Sequence, residues 1–171
     1  MTEVRMAGQV ALVTGASRGI GRAISLALAA LGMKVIGTAT TESGAAAIGE
    51  ALAAFPGSRG LCLNVNDAAG VDAAIDTIVK EHGGLHVLVN NAGITRDTLS
   101  MRMKDEDWDA VLDTNLKAVF RTSRAAIKPM MKQRYGRIVN ITSVVGASGN
   151  AGQVNYAAAK AGVAGMTRSL A

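Results

Sequence analysis

The chain has 171 residues, 49% of them hydrophobic and 18% charged, and a formal net charge of +5. That length holds one domain with a core of its own, and that balance excludes a disordered polymer. The positive charge admits an anionic cofactor, an acidic protein partner or nucleic acid; with only 3% aromatic residues there is little to stack on single-stranded bases, so nucleic acid is the weakest of the three. The N-terminus, MTEVRMAGQVALV, has no signal-peptide pattern, and the longest uncharged apolar run, about Ala23 to Met33, is too short to span a bilayer. A single cysteine, Cys62, cannot form an internal disulfide, which suits a reducing cytoplasm.

QVALVT (9–14) is the first predicted strand, and VTGASRGIG carries it into a helix over 19–31. Gly15, Gly19 and Gly21 supply a tight turn, close backbone approach and close helix packing, while the helix start offers unpaired N–H groups to a pyrophosphate. Ser17, Arg18 and Ile20 fill the turn between them. Glycines mark turns everywhere, so the weight comes from their place at a strand-to-helix junction. The second strand, KVIGTA (34–39), leads through Thr38 and Thr40 with no acid before Glu42. An acid there would hold a ribose 2′-hydroxyl and repel a 2′-phosphate; the threonines and the Arg18 cation therefore predict NADP(H) over NAD(H). The competing reading of Arg18 is a solvated surface charge.

A helix over 43–54, a strand at 60–65, a helix over 68–82 and a strand at 85–90 follow. Cys62 reads as a small core residue. His82 and His86 flank a Gly-Gly turn with no cysteine or carboxylate set around them, so both read as solvated loop residues and no metal site is predicted. The longest helical pattern, 105–132, carries Pro129 near its end, where an interruption or kink is expected. Lys117, Arg121, Arg124, Lys128 and Lys132 recur every three or four residues as a basic stripe, continued by Arg134 and Arg137. Leu112, Leu116, Val119, Phe120, Ser123, Ile127 and Met130 make the opposing side, suited to burial or subunit contact. The stripe is either a docking surface or a solvated helix face. Trp108, Met101 and Met103 read first as packing residues and second as the mouth of a site.

RIVNIT (137–142) is the fifth predicted strand. Continuous apolar runs mark strands buried on both faces, and strand–helix alternation with right-handed crossovers makes a doubly wound α/β domain with a parallel sheet. The last helix starts near 155. Within it Tyr156 and Lys160 stand one turn apart among alanines and glycines, so both leave the same face. A tyrosine pKa of about 10 is too high for easy proton transfer at neutral pH. A nearby lysine cation lowers it and makes the phenol a usable general acid or base. Ser143 follows the fifth strand, where the carboxyl ends of strands meet the ligand crevice, and its hydroxyl suits a substrate carbonyl oxygen. The three fit carbonyl reduction, with hydride from a cofactor and the proton from the protein.

TGASRGIG, NNAG (90–93), Asn115 in DTNL, Ser143 and YAAAK (156–160), in that order, resemble the short-chain dehydrogenase/reductase family along the whole chain. The resemblance implies a Rossmann-type fold with five strands present and the sixth and seventh missing, as one NADP-binding domain over 1–171 that lacks its C-terminal substrate lid. It implies Tyr156 as the acid/base, Lys160 also on the nicotinamide ribose, Ser143 on the substrate oxygen, and Asn115 holding a relay water. Without the family, Asn115 reads as a surface polar residue. It further implies cofactor contacts from Gly15, Ser17, Arg18, Gly19, Ile20, Gly21, Thr38 and Thr40, from Asn64 and Val65 at the adenine, from Asn90, Ala92 and Gly93, and from Tyr156 and Lys160.

Within the family, NNAGITRDTLSMRM, MMKQRYGRIVNITSVVG and GNAGQVNYAAAKAG are most similar to members that reduce a 3-oxoacyl thioester on acyl carrier protein with NADPH in fatty-acid synthesis. Acetoacetyl-CoA reduction or another short-chain alcohol dehydrogenation is the alternative, as is an inactive fragment that binds only dinucleotide or itself. The implied partners are an acidic acyl carrier protein at Arg134 and its basic neighbours, and further copies of the chain in a cytoplasmic homotetramer. MTRSLA breaks off inside a helical pattern, so the chain is expected to be part of a longer protein. The 171-residue form is expected to be nearly inactive and prone to associate along an unpaired fifth strand.

Overall fold

The computed structural model describes residues 6–171. Residues 1–5, where the N-terminal stretch without a signal-peptide pattern begins, lie outside the described residues. The first strand, β1 (Val10–Val13), is buried at every position. Val10 and Leu12 enter one apolar cluster, Ala11 and Val13 the other. Successive strand residues point to opposite faces, so an unbroken apolar run is what a strand covered by helices on both sides requires.

The remaining elements are α1 (Gly19–Ala30), β2 (Lys34–Ala39), α2 (Glu42–Ala51), β3 (Arg59–Cys62), α3 (Ala68–His82), β4 (Val87–Asn90), α4 (Asp105–Leu112), α5 (Ala118–Lys132), β5 (Arg137–Asn140), α6 (Val145–Ser148) and α7 (Val154–Leu170). The sheet order is β3-β2-β1-β4-β5, with every pairing parallel. Leu12 lies opposite both Ile36 and Leu88. On one face Val71, Ile75 and Ile78 of α3 and Ala126 and Met130 of α5 pack against Leu12, Ile36 and Leu88. On the other, Ala29, Met33, Ile48 and Leu52 cover Ala11, Val13, Val35 and Val89. Each fully buried leucine or isoleucine contributes about 2 kcal/mol. Strand order reverses between β1 and β4, and that opens a crevice at the carboxyl ends of the strands. Among the described residues, no helix is long and apolar enough to cross a membrane.

The long helical pattern divides. Between α4 and α5, Asp113–Lys117 forms a π turn, one residue wider than α geometry. Pro129 does not end α5, which runs to Lys132. The proline forfeits one bond in the penultimate turn, and burial of Ala126 and Met130 carries the helix past it. The basic stripe is partly engaged. Lys117 pairs with Asp113 at 3.1 Å, Arg121 donates to the Asn66 carbonyl, and Arg124 and Arg137 lie over the rings of Phe120 and Tyr135. Lys128, Lys132 and Arg134 are exposed, and among the described residues they join no ion pair.

Both histidines depart from the solvated loop residues expected. His82 closes α3 with its Nε2 buried, and Gly83 ends the helix in the left-handed conformation, φ 81°. His86 leads into β4, and its Nδ1 accepts the Val10 N–H at 3.1 Å. The two glycines turn a helix directly into a strand, which draws the flanking side chains inward. Burial lowers the His86 pKa from its ordinary 6.5. An imidazole depressed in the folded state binds its proton first in the unfolded chain, so its contribution is intact above pH 6.5 and declines as pH falls below that value. The melting temperature is therefore expected to drop on acidification through this window. The drop should flatten in His86→Asn, whose amide oxygen can still accept from Val10; an unchanged pH slope in that variant would exclude His86 as the cause.

Candidate active site

β1 ends at Thr14, whose hydroxyl oxygen accepts from the backbone N–H of both Asn91 and Ala92 at 3.0 Å. The Asn91 amide returns across the crevice to the carbonyls of Thr14 (3.0 Å) and Gly15 (2.9 Å). These bonds bring the β1–α1 turn and the loop after β4 into contact. Gly15 has φ 66°, and a Cβ there would lie 2.8 Å from the Ala92 Cα. A Cβ on Gly21 would strike the Gly15 carbonyl and the Asn91 amide. Glycine is required at both positions by this approach.

The opening is a cleft of about 650 Å³. Gly15, Ser17, Arg18, Gly19, Ile20, Thr38, Thr40, Asn64, Val65, Ala92 and Gly93, all expected to contact a cofactor, lie on its wall. Ala39, Leu63, Asn66, Asn91, Ile94 and Thr114 line it as well, and sequence reading did not single them out. Gly21, Tyr156 and Lys160 are not on its wall. Asn90 needs correction: its side chain turns away from the cleft. Its amide donates to Ser123 and Asn140 and accepts from Thr122, inside a network that continues from Asn140 to Thr167 of α7. Adjacent residues leaving a strand face opposite ways, so Asn91 takes the cleft and Asn90 the interior.

The cleft suits an anionic dinucleotide. The residue before α1, Arg18, is extended, makes no side-chain cap, and no acid occupies the first turn. The N–H groups and positive end of α1 therefore face open space. Arg18 is exposed and joins no ion pair among the described residues. Thr38 is buried, and its hydroxyl receives the Gly15 N–H at 3.4 Å, so the exposed Thr40 is the better placed of the two for a ligand.

α7 carries Tyr156 and Lys160 beside the segment that follows β5. Lys160 is 6% exposed; its Nζ donates to the Ile141 carbonyl at 2.7 Å and lies 5.6 Å from the Tyr156 ring centre. Ser143 is two residues beyond Ile141, and its hydroxyl accepts the Val145 N–H. α6 then crosses α7 so closely that a Cβ on Gly146 would meet the Ala161 nitrogen at 2.9 Å. Burial lowers the Lys160 pKa. Asn115 is not the surface residue that its helical setting suggests. It is fully buried in the π turn, donating to the Ile94 carbonyl and accepting the Ile94 N–H, each at 2.8 Å. Its side chain thus fastens the loop after β4. Trp108 and Met103 flank Val154 at the start of α7, around a pocket of about 200 Å³.

A parallel sheet with a glycine turn at the end of β1 and a cleft of dinucleotide size at its carboxyl edge is the Rossmann-type arrangement. The chain belongs to the short chain dehydrogenase family, whose pattern matches residues 9–171. It is 59% identical over 164 residues to the 3-oxoacyl-[acyl-carrier-protein] reductase FabG of Escherichia coli (strain K12), covering 96% of this chain and 66% of that protein. It is 56% identical over 168 residues to the FabG of Vibrio harveyi, covering 98% of this chain and 68% of the relative. A protein described as a short-chain alcohol dehydrogenase from Sinorhizobium meliloti 1021 superposes with a TM-score of 0.91 at 38% identity, over 96% of this chain and 66% of that one. The chain spans 66% of the length of the E. coli relative. Gly21→Ala is expected to cost about 1–3 kcal/mol through overpacking and to weaken dinucleotide binding at the same time. Urea unfolding and a binding titration check both, and a wild-type result in each would remove the close approach as a constraint.

Proposed function

We propose that this chain carries the dinucleotide-binding and catalytic part of an NADPH-dependent 3-oxoacyl-[acyl-carrier-protein] reductase, forming the 3-hydroxyacyl thioester in fatty-acid synthesis. The observation that carries the reading is the Lys160 ammonium held between the Tyr156 ring and the strand that leads to Ser143. The names of the E. coli and V. harveyi relatives point to the carrier-protein thioester over acetoacetyl-CoA. Bound NADPH supplies the hydride. Tyr156 gives its hydroxyl proton to the substrate oxygen, Ser143 donates a hydrogen bond to the same oxygen, and the Lys160 cation stabilises the phenolate left behind. Gly15, Ser17, Gly19 and Ile20 would hold the pyrophosphate of bound NADPH, Arg18 and Thr40 its 2′-phosphate, and Asn64 and Val65 its adenine.

The whole chain is read as a single NADP-binding domain. Exposed Lys128, Lys132, Arg134 and Arg137 form the surface assigned to an acidic carrier protein. Arg134 precedes β5 and Ser143 follows it, so the basic surface and Ser143 lie beyond opposite ends of that strand. Assembly as a homotetramer in the cytoplasm belongs to the same reading, with exposed Phe120 and Trp108 as candidate contacts.

NADPH oxidation with an acetoacetyl thioester is measured beside direct NADPH binding, which needs only the cleft. Tyr156→Phe is expected to lower turnover by about 100-fold or more while leaving NADPH affinity intact; loss of binding instead would give Tyr156 a structural role. Arg18→Ala is expected to weaken NADPH by about tenfold or more and to leave NADH unchanged. Equal weakening of both would overturn the 2′-phosphate assignment.

A further inference from the structure

Asn155 stands next to Tyr156, is completely buried, and has no part in the proposed chemistry. Its amide nitrogen donates to the carbonyl of Arg96 at 3.1 Å and to that of Asp107, in α4, at 3.3 Å. Its oxygen accepts the Tyr156 N–H at 2.8 Å. That N–H belongs to the first turn of α7 and has no partner within the helix; the first helical bond runs from Ala157 to Gln153, whose side chain makes no cap. One side chain therefore caps α7 from inside its first turn and ties that turn to two other parts of the fold.

The tie falls where the helix is otherwise least constrained. Lys160 anchors the second turn through Ile141, and Thr167 anchors the far end through Asn140. The segment bound by Asn155 is itself fixed: Asn115 holds both backbone groups of Ile94, and the Thr98 N–H bonds the Gly152 carbonyl. The other link nearby, from Gln153 to Asp97, is solvent-exposed. Beside the packing of Val154 near Trp108 and Met103, this buried amide is thus what holds the first turn and the Tyr156 backbone by hydrogen bonds.

We propose that Asn155 is a positioning residue for Tyr156, setting the angle at which the phenol meets Lys160 and the substrate oxygen. This rests on Tyr156 as the proton donor of the proposed reaction. Asn155→Ala removes the cap and the side-chain donor to the Arg96 and Asp107 carbonyls. A displacement of about 1 Å at a reacting group costs about 100-fold in rate, so turnover is expected to fall by that order with NADPH affinity unchanged.

The test that needs no turnover is NMR of the chain carrying ring-labelled tyrosine. Tyr156→Phe assigns the two signals, and Tyr135, at the opposite end of β5, is the internal control. In Asn155→Ala the Tyr156 signal is expected to move while that of Tyr135 stays. Asn155→Asp keeps the shape and the acceptor but sets a carboxylate against two carbonyl oxygens; it is expected to move the same signal, and it serves if the alanine variant does not fold. An unmoved Tyr156 signal in a folded variant overturns the proposal. So does equal collapse of both signals in both variants, which would make Asn155 a support of the whole fold. A displaced Tyr156 signal, with no thioester reduction by the longer protein that contains this chain, upholds the positioning role and overturns the reductase reading alone.

Discussion

The structure depends on the amide of Asn91 reaching across the crevice to the carbonyls of Thr14 and Gly15. Parallel strands end in backbone groups with no strand left to pair with, and between β1 and β4 the connecting helices leave in opposite directions. Without a bridge the two loops would separate and their buried polar groups would lose their partners. Asn91 and the Thr14 hydroxyl supply it, and the bridge leaves room for no Cβ on Gly15 or Gly21. The glycines of the turn are thus as much a requirement of this contact as of any phosphate.

From that bridge the loop 91–98 is held at nearly every step. Its start is fixed by Thr14, its middle by Asn115, and its end by Asn155 and the Gly152 carbonyl. The opposite wall is tied to the same π turn, because Asn66 donates to Thr114 and receives Arg121 on its carbonyl. A wall of the dinucleotide cleft and the helix bearing Tyr156 are therefore parts of one hydrogen-bonded assembly rather than separate loops on a scaffold. Buried amides suit this work, since each has a donor and an acceptor end: Asn115 and Asn155 both donate to a carbonyl and accept a backbone N–H.

Much of this was legible in the sequence. The run VALV, apolar at consecutive positions, could only be a strand covered on both faces, and the strand–helix rhythm fixed a parallel sheet. The strand-to-helix glycine turn and the one-turn spacing of Tyr156 and Lys160 located the two halves of the site. What escaped was decided by tertiary contact. Nothing local in NNAG says which asparagine faces the cleft, since that depends on where β4 ends. DTNL has an ordinary helical pattern, yet it forms the π turn in which Asn115 bonds Ile94. His82 and His86 looked solvated because the Gly-Gly pair between them resembles a loop, whereas it joins two buried elements. Asn155 was hidden by its neighbour, the more conspicuous tyrosine.

The π turn has a consequence for how the helix could vary. An extra residue in a helical path rotates everything after it by about 100° relative to everything before it. α4 meets α7 and α5 meets α3 only because this phase shift lies between them. Deleting one residue from 113–117 would restore regular α geometry and strengthen the helix locally. It would also swing Asn115 off the loop and turn the wrong side of α5 toward the sheet. Length in this segment is consequently far more constrained than composition: substitutions on its solvent side are tolerable, whereas a single codon lost or gained is not.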